Sequence, residues 1–307
     1  MNILSFETIK KLNAVDNRDL LSQVKERGLT GLAAANPSSK EQVIWLLMGG
    51  EVIHGYQSNG IGAERISSEQ LTLAPAWNIS VYPLPGRVVQ FSKVLIEHKS
   101  AVRTINSNSA ELLTLAKSFS KDENPTLMQI QWRDAEGLIL VSGCNLGHQQ
   151  AAFMSPQGNS EDAEALTRMS EWPTKECRVN VYSGNMESTA WVEAQLCLLF
   201  EWSASLLLDR YGYLTGKTMV GSVTRDLVSQ ALRFGRDFST TGPNLTEKTI
   251  FPSPAEMFTA YQNSFRLEMR HIQSVIGVGM MTIILRQMQT SLNKPYQTLL
   301  QRYPIFE

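Results

Sequence analysis

The chain has 307 residues, 43% hydrophobic and 19% charged, with 12 prolines. This composition excludes a disordered, collagen-like or disulfide-rich protein. Twenty-eight basic residues stand against 29 acidic ones, a formal net charge of −1, so no charge excess points to nucleic acid or to an anionic membrane surface.

At about 150 residues per domain the length suits two domains or three small ones. Cys144, Cys177 and Cys197 form no CxxC pair. An odd count behind a start, MNILSFETIKK, that lacks a signal-peptide pattern leads us to expect a reducing, cytoplasmic setting. The most apolar run, Val275 to Leu285, is shorter than the ~20 residues of a membrane span, so no membrane insertion is expected.

In chain order, the first pattern is a repeat. Asp16 to Lys25 aligns with Asn108 to Lys117, each with a capping residue three positions before an acid, Asp16 with Asp19 and Asn108 with Glu111. Such a pair satisfies orphan amides and suits the helix dipole, so each segment predicts a short helix. A strand pair follows each: Leu29 to Ala35 and Gln42 to Leu47 around Asn36-Pro37-Ser38-Ser39-Lys40, then Thr126 to Trp132 and Leu138 to Ser142 around Arg133 to Gly137. Turn residues between apolar runs predict hairpins. A third strand follows a glycine turn, Glu51 to Tyr56 in one copy and Leu146 to Phe153 in the other. Each copy closes on a short alternating strand, Trp77 to Tyr82 and Cys177 to Tyr182. In the second copy Glu161 to Met169 predicts an additional helix, and the matching stretch, Gly60 to Glu69, reads less clearly as one.

Thr30-Gly31-Leu32 and Leu47-Met48-Gly49-Gly50-Glu51-Val52-Ile53-His54-Gly55 carry a resemblance to the DUF4388 or PATAN unit of bacterial and cyanobacterial signalling proteins of the PatA type. There a leucine-rich helix, a TG strand, a hairpin and an F-x-x-G-x-I/V-x-x-A stretch recur; here His54-Gly55 replaces the usual small residue. The resemblance spans residues 15–85, with a degenerate second copy at 108–184 that lacks the Thr-Gly pair. It implies an adaptor or scaffold role beside receiver, roadblock or kinase modules and attaches no catalytic residue to the motif.

From Glu187 the period becomes helical. Trp191, Ala194, Leu198, Trp202, Ser205 and Leu206, with Leu196, Leu199 and Leu207, predict a helix apolar around most of its girth and ended or bent at Tyr211-Gly212. A second helix is expected over Met219 to Phe234, with Gly235 at its C-terminal end. A third starts at the capping box Ser253-Pro254-Ala255-Glu256 and runs to Leu292, where Asn293 and Pro295 stop it. Its stripe is Phe258, Tyr261, Phe265, Met269, Ile272, Ile276, Met280, Ile283 and Ile284, with Arg266, Glu268, Arg270 and Gln273 on a solvated side and Gly277 and Gly279 admitting a close neighbour. A last helix is read over Pro295 to Tyr303. The expected class is α+β: two tandem small helix-plus-antiparallel-hairpin units, 1–100 and 101–186, followed by an all-α helical bundle domain, 187–307.

No catalytic, cofactor-binding or metal-binding residue is assigned. Gly212-Tyr213-Leu214-Thr215-Gly216-Lys217-Thr218 resembles a phosphate loop, but GxxxxGK[ST] requires glycine where Tyr211 stands, and the context is helix to helix. His54, His98, His148 and His271 show no metal-ligand spacing. Cys144 has no base near it in sequence, and Glu161-Asp162-Ala163-Glu164 suits a helix start.

A long helix with more apolar positions than two short neighbours cover points to association. The candidate interaction residues are Phe258, Tyr261, Phe265, Met280, Met281 and Met288, of types enriched at interfaces. The reading is thus a non-enzymatic signalling adaptor or scaffold mediating protein–protein interactions in a bacterial regulatory pathway, with protein partners of the receiver, small GTPase or pilus-motor type, or a second copy. A small-ligand sensor with its site between the α+β units or in the helical bundle is the alternative; an enzyme outside known motifs and a structural component of an assembly stay open.

Overall fold

A computed structural model describes residues 12–14, 17–38, 41–58, 63–66, 79–98, 101–142, 149–173, 176–184 and 188–306. The chain divides into two compact units, one of residues 1–119, 126–141 and 149–184, the other of 120–125, 142–148 and 185–307.

The first unit repeats one topology. Strands β1 (Leu12–Ala14), β2 (Gly31–Ser38), β3 (Glu41–Met48), β4 (Glu51–Ser58), β5 (Ala63–Ile66) and β6 (Ile79–Pro83) form an antiparallel sheet in the order β1-β6-β2-β3-β4-β5. Strands β7 (Arg103–Asn108), β8 (Thr126–Gln131), β9 (Glu136–Val141), β10 (Gln149–Ser155), β11 (Gly158–Glu161) and β12 (Glu176–Ser183) form another in the order β7-β12-β8-β9-β10-β11. Position for position the two orders are the same. Helix α1 (Asn17–Glu26) follows β1, and α3 (Leu112–Phe119) follows β7 through a 3-10 turn; α4 (Asp162–Ser170) follows β11. Asn108 caps that turn by accepting from the Glu111 amide at 3.2 Å, as the sequence predicts. Asp16, Trp77, Cys144 and His148 lie outside the described residues.

Each sheet buries one face against its own helices. Val24 of α1 joins Ala33, Ala35, Val43, Trp45, Leu47 and Val81, while Leu112 and Ala116 of α3 and Ala165 and Met169 of α4 join Met128, Ile130, Ile139, Val141 and Phe153. The alternate residues, Leu32, Ala34, Ile44 and Leu46 in one sheet and Leu127, Leu138, Leu140, Ala152 and Met154 in the other, are buried as well. They lie on the side of α2 (Gly86–Glu97), which joins the repeats and packs on β2 and β5 of the first sheet and on β9 and β10 of the second. Ten of its residues, Gly86 to Val89 and Phe91 to Ile96, are buried.

The motif that carries the family resemblance has a structural explanation. A Cβ on Gly31 would sit 2.1 Å from the Tyr82 carbonyl oxygen of the neighbouring strand, closer than any side chain tolerates. Thr30 Oγ1 accepts from the Gly49 amide at 3.2 Å, its carbonyl accepts from Leu84, and the Gly50 amide bonds Leu29. Thr30-Gly31 therefore locks the β3–β4 turn and the start of α2 onto β2.

The second unit contains α5 (Thr189–Thr215), α6 (Lys217–Arg233), the hairpin β13 (Phe238–Thr241) and β14 (Asn244–Glu247), α7 (Pro254–Ser291) and α8 (Lys294–Arg302). The hairpin corrects the all-α expectation. Helix α5 runs through Tyr211-Gly212 and ends at Gly216, with φ +92. Its run is long and apolar enough to cross a membrane, yet most of it is buried in this core. The predicted capping box of α7 is present: Ser253 Oγ accepts from the Glu256 amide and donates to its carboxylate, both at 3.2 Å.

Two glycine substitutions separate sterics from propensity. Gly31→Ala should cost about 3 kcal/mol or more by overpacking against backbone. Gly221→Ala, inside α6 with no atom within 4 Å of the new Cβ, should stabilise by roughly 0.5–1 kcal/mol. Thermal unfolding of the two variants reads both signs.

Candidate interaction site

The core of the second unit forms around one buried cation. Arg236 follows α6, is 6% exposed, and donates from Nε to Glu247 Oε2 at 2.9 Å, with Nη2 on the same oxygen. Its Nη1 reaches Ser264 Oγ of α7 at 2.6 Å, and the guanidinium lies within 6.0 Å of the ring centroids of Phe200, Phe238, Phe251 and Tyr261. Glu201 of α5 accepts from the Glu247 amide at 2.7 Å. Burial pushes the Glu247 carboxyl up, and Arg236 pulls it back. Paired and ringed by aromatics, the charge ties α5, the hairpin and α7 together.

That arrangement determines what the predicted interaction residues do. Tyr261 and Phe265 are fully buried, Tyr261 stacked on Phe200 at 4.2 Å and Phe265 against Phe306 at 5.1 Å. Met281 and Met288 are also core. Phe258 is half-buried against Tyr303. Burial takes Tyr261, Phe265, Met281 and Met288 out of the expected docking face, leaving Phe258 half-buried and Met280, 42% exposed, on the surface.

Further exposed apolar side chains on α7 lie near it in sequence, Val275 (48%), Val278 (64%) and Ile283 (52%). The signal was in the sequence: between Val275 and Leu285 apolar residues occur all round the helix, and Met281, Ile284 and Met288 account for only one sector. Gly277 interrupts the helix with φ +81 and ψ 161, and no atom lies within 4 Å of a Cβ built on Gly277 or Gly279. Gly277 makes a bend, and neither glycine admits a neighbouring helix. Within the bend lies a groove of about 300 Å³ between Arg266, Met269, Arg270 and Gln273 on one side and Val278, Met281, Thr282 and Leu285 on the other.

A second concavity, about 540 Å³, opens between α5, α6 and the hairpin, with Asp209, Gly212, Tyr213, Lys217, Thr224 and Thr240 among its lining residues. Lys217 is the first residue of α6, so the phosphate-loop-like segment passes from helix to helix.

The tempting chemistry elsewhere resolves into structure. His54 of β4 is buried, accepts from Arg65 at 3.2 Å, and is lowered to about 2 by burial and then by Lys93 and Arg65, so it stays neutral. His271 pairs with Asp226 at 3.3 Å. Cys177 and Cys197 are buried, and burial raises the Cys177 thiol to about 11. Among the described residues no group of His, Cys, Asp and Glu could hold a metal ion.

Glu268, expected on a solvated side, is fully buried with neither carboxylate oxygen hydrogen-bonded. Burial raises its pKa well above the usual range. The folded chain thus keeps a proton that the unfolded chain releases above about pH 4.3. This contribution to stability is full below that pH and is lost as pH rises toward the folded value. Glu268→Gln should remove the slope, so its Tm gain over the native chain should grow from pH 5 to pH 8 in parallel thermal melts.

Compared with known proteins, the chain matches no family model, no curated protein and no solved structure.

Proposed function

We propose that this protein is a non-enzymatic signalling adaptor of the DUF4388/PATAN kind, acting in the bacterial cytoplasm through protein–protein contacts. The observation that carries the reading is the run of exposed apolar side chains on α7, Val275, Val278, Met280 and Ile283, beside the bend at Gly277. Met280 and Ile283 lie one helical turn apart, and neighbouring exposed apolar residues mark interaction sites, whereas scattered ones do not. The structural work done by Thr30 and Gly31 accords with a motif that holds a fold rather than a reaction. Partners of the receiver, small GTPase or pilus-motor type are proposed on the family resemblance.

The test is Ile283→Asp, a substitution at a half-exposed position. The variant should keep the native Tm and lose at least about tenfold in affinity for a purified partner first captured by the native chain, roughly 1.4 kcal/mol. Unchanged affinity would move the interface off α7. The alternative, a small-ligand sensor, is favoured by the 540 Å³ concavity beside Lys217. A thermal-shift screen that includes nucleotides, run on the native chain and on Lys217→Ala, would reveal it as a stabilisation present only in the former.

A further inference from the structure

We infer that the concavity between α5, α6 and the β13–β14 hairpin binds a small zwitterionic molecule with an apolar body, of dipeptide size. This rests on the sensor alternative, names its ligand class, and uses none of the α7 residues. The lining includes Leu208 of α5 and Val220 of α6, both buried, and Pro243 of the hairpin turn. The volume, about 540 Å³, lies within the few hundred to about 1,000 Å³ of pockets that enclose small organic ligands. One free amino acid would leave much of it open.

Charge selects the ligand. Asp209 of α5 and Lys217 of α6 line the same concavity, and among the described residues neither side chain has a hydrogen-bond or ion-pair partner, the other included. A net anion would be repelled by Asp209 and a net cation by Lys217, and a neutral molecule would answer neither. An ammonium and a carboxylate on one molecule answer both. Tyr213, 90% exposed, lines the same space and offers an aromatic face to an apolar side chain of the ligand.

Gly221 keeps the space open. It stands inside α6, where glycine is less favourable than alanine, and no atom lies within 4 Å of a Cβ built on it. Sterics therefore do not require glycine there, and a longer side chain would enter the concavity that Gly221 lines.

The experiment is calorimetric titration of the full chain with leucylphenylalanine, its N-acetylated and C-amidated forms, free phenylalanine and adenosine monophosphate. The free dipeptide should bind, and each capped form should bind about threefold or more weakly, the scale of a solvent-accessible ion pair. Asp209→Asn should remove the penalty for acetylation, and Lys217→Met the penalty for amidation. Gly221→Leu should lose at least about tenfold in affinity while melting at or above the native temperature; if it melts lower, Asp209→Asn decides. Absence of dipeptide binding, equal affinity for the free and capped forms, or native affinity in Gly221→Leu overturns the inference. So does equal or tighter binding of phenylalanine or of adenosine monophosphate. Stabilisation by nucleotide alone, lost in Lys217→Ala, would leave the sensor reading standing and remove the zwitterionic class. Ile283→Asp, which tests the adaptor surface, should bind the dipeptide as the native chain does; loss of binding there would place the ligand elsewhere and overturn the assignment.

Discussion

The first unit depends on burying α2, a helix that carries an arginine and a lysine into the space beside two sheets. Val88, Val89, Phe91, Val94, Leu95 and Ile96 supply the apolar burial, but Arg87 and Lys93 are only 1% and 2% exposed, and an unanswered buried charge costs several kcal/mol. The answer for Arg87 comes from the second repeat. Glu161 accepts its amide at 2.9 Å and Asp162 its Nε at 3.2 Å. Asp162 adopts φ +52, the single left-handed non-glycine conformation among the described residues, and backbone strain of this kind persists where surrounding bonds over-determine it. The β11–α4 junction of one repeat thus fixes the helix that leaves the other, which makes the pair of sheets one compact unit although each has its own outer core.

The same accounting governs the second unit, with a different solution. Arg236 is answered by Glu247 from the hairpin and by Ser264 from α7, and four rings exclude water from it. A cluster this complete organises the first half of α7 from Met257 to Ile272. Beyond Gly277 the core receives Met281, Ile284, Met288 and Leu292, with Leu285 packed against it, while Val278, Met280 and Ile283 are exposed. The asymmetry between the two halves of α7 follows from where the buried charge sits.

Much of this fold was legible in the sequence because it depends on local chemistry: the caps at Asn108 and Ser253, the turns between apolar strands, and the helical period from Trp191 onward. The repeat was visible for the same reason. What was not legible depends on neighbours distant in the chain. Strands β1, β5, β7 and β11 lie at or near the sheet edges and are short or polar, so their pattern is weak. Helix α2 was missed although Arg87, Gln90, Lys93 and Glu97 recur at helical spacing among its apolar residues; what no local pattern shows is that Arg87 and Lys93 of that polar stripe are buried as well. The hairpin at Phe238–Glu247 was missed among polar residues whose pairing is set by Arg236. At the candidate site the same division holds: residue type identified α7 as the element, but only packing separates Tyr261, Phe265, Met281 and Met288, which the core consumes, from Val275, Val278, Met280 and Ile283, which it leaves exposed.

The composition of α7 argues that this exposure is a property of the design of the helix rather than a residue of imperfect packing. Gly279 weakens helical propensity by about 1 kcal/mol, and Gly277 turns the backbone out of helical conformation at a position where a Cβ would meet open space. A helix serving only the core could be straight, with polar residues outside Met281, Ile284 and Met288. Here the outward positions Val278 and Ile283 are apolar and flank the buried sector on both sides, while Arg270 and Arg286 carry charge of a single sign. Bend and outward apolar side chains thus fall within the one stretch of α7 that the aromatic cluster around Arg236 does not reach.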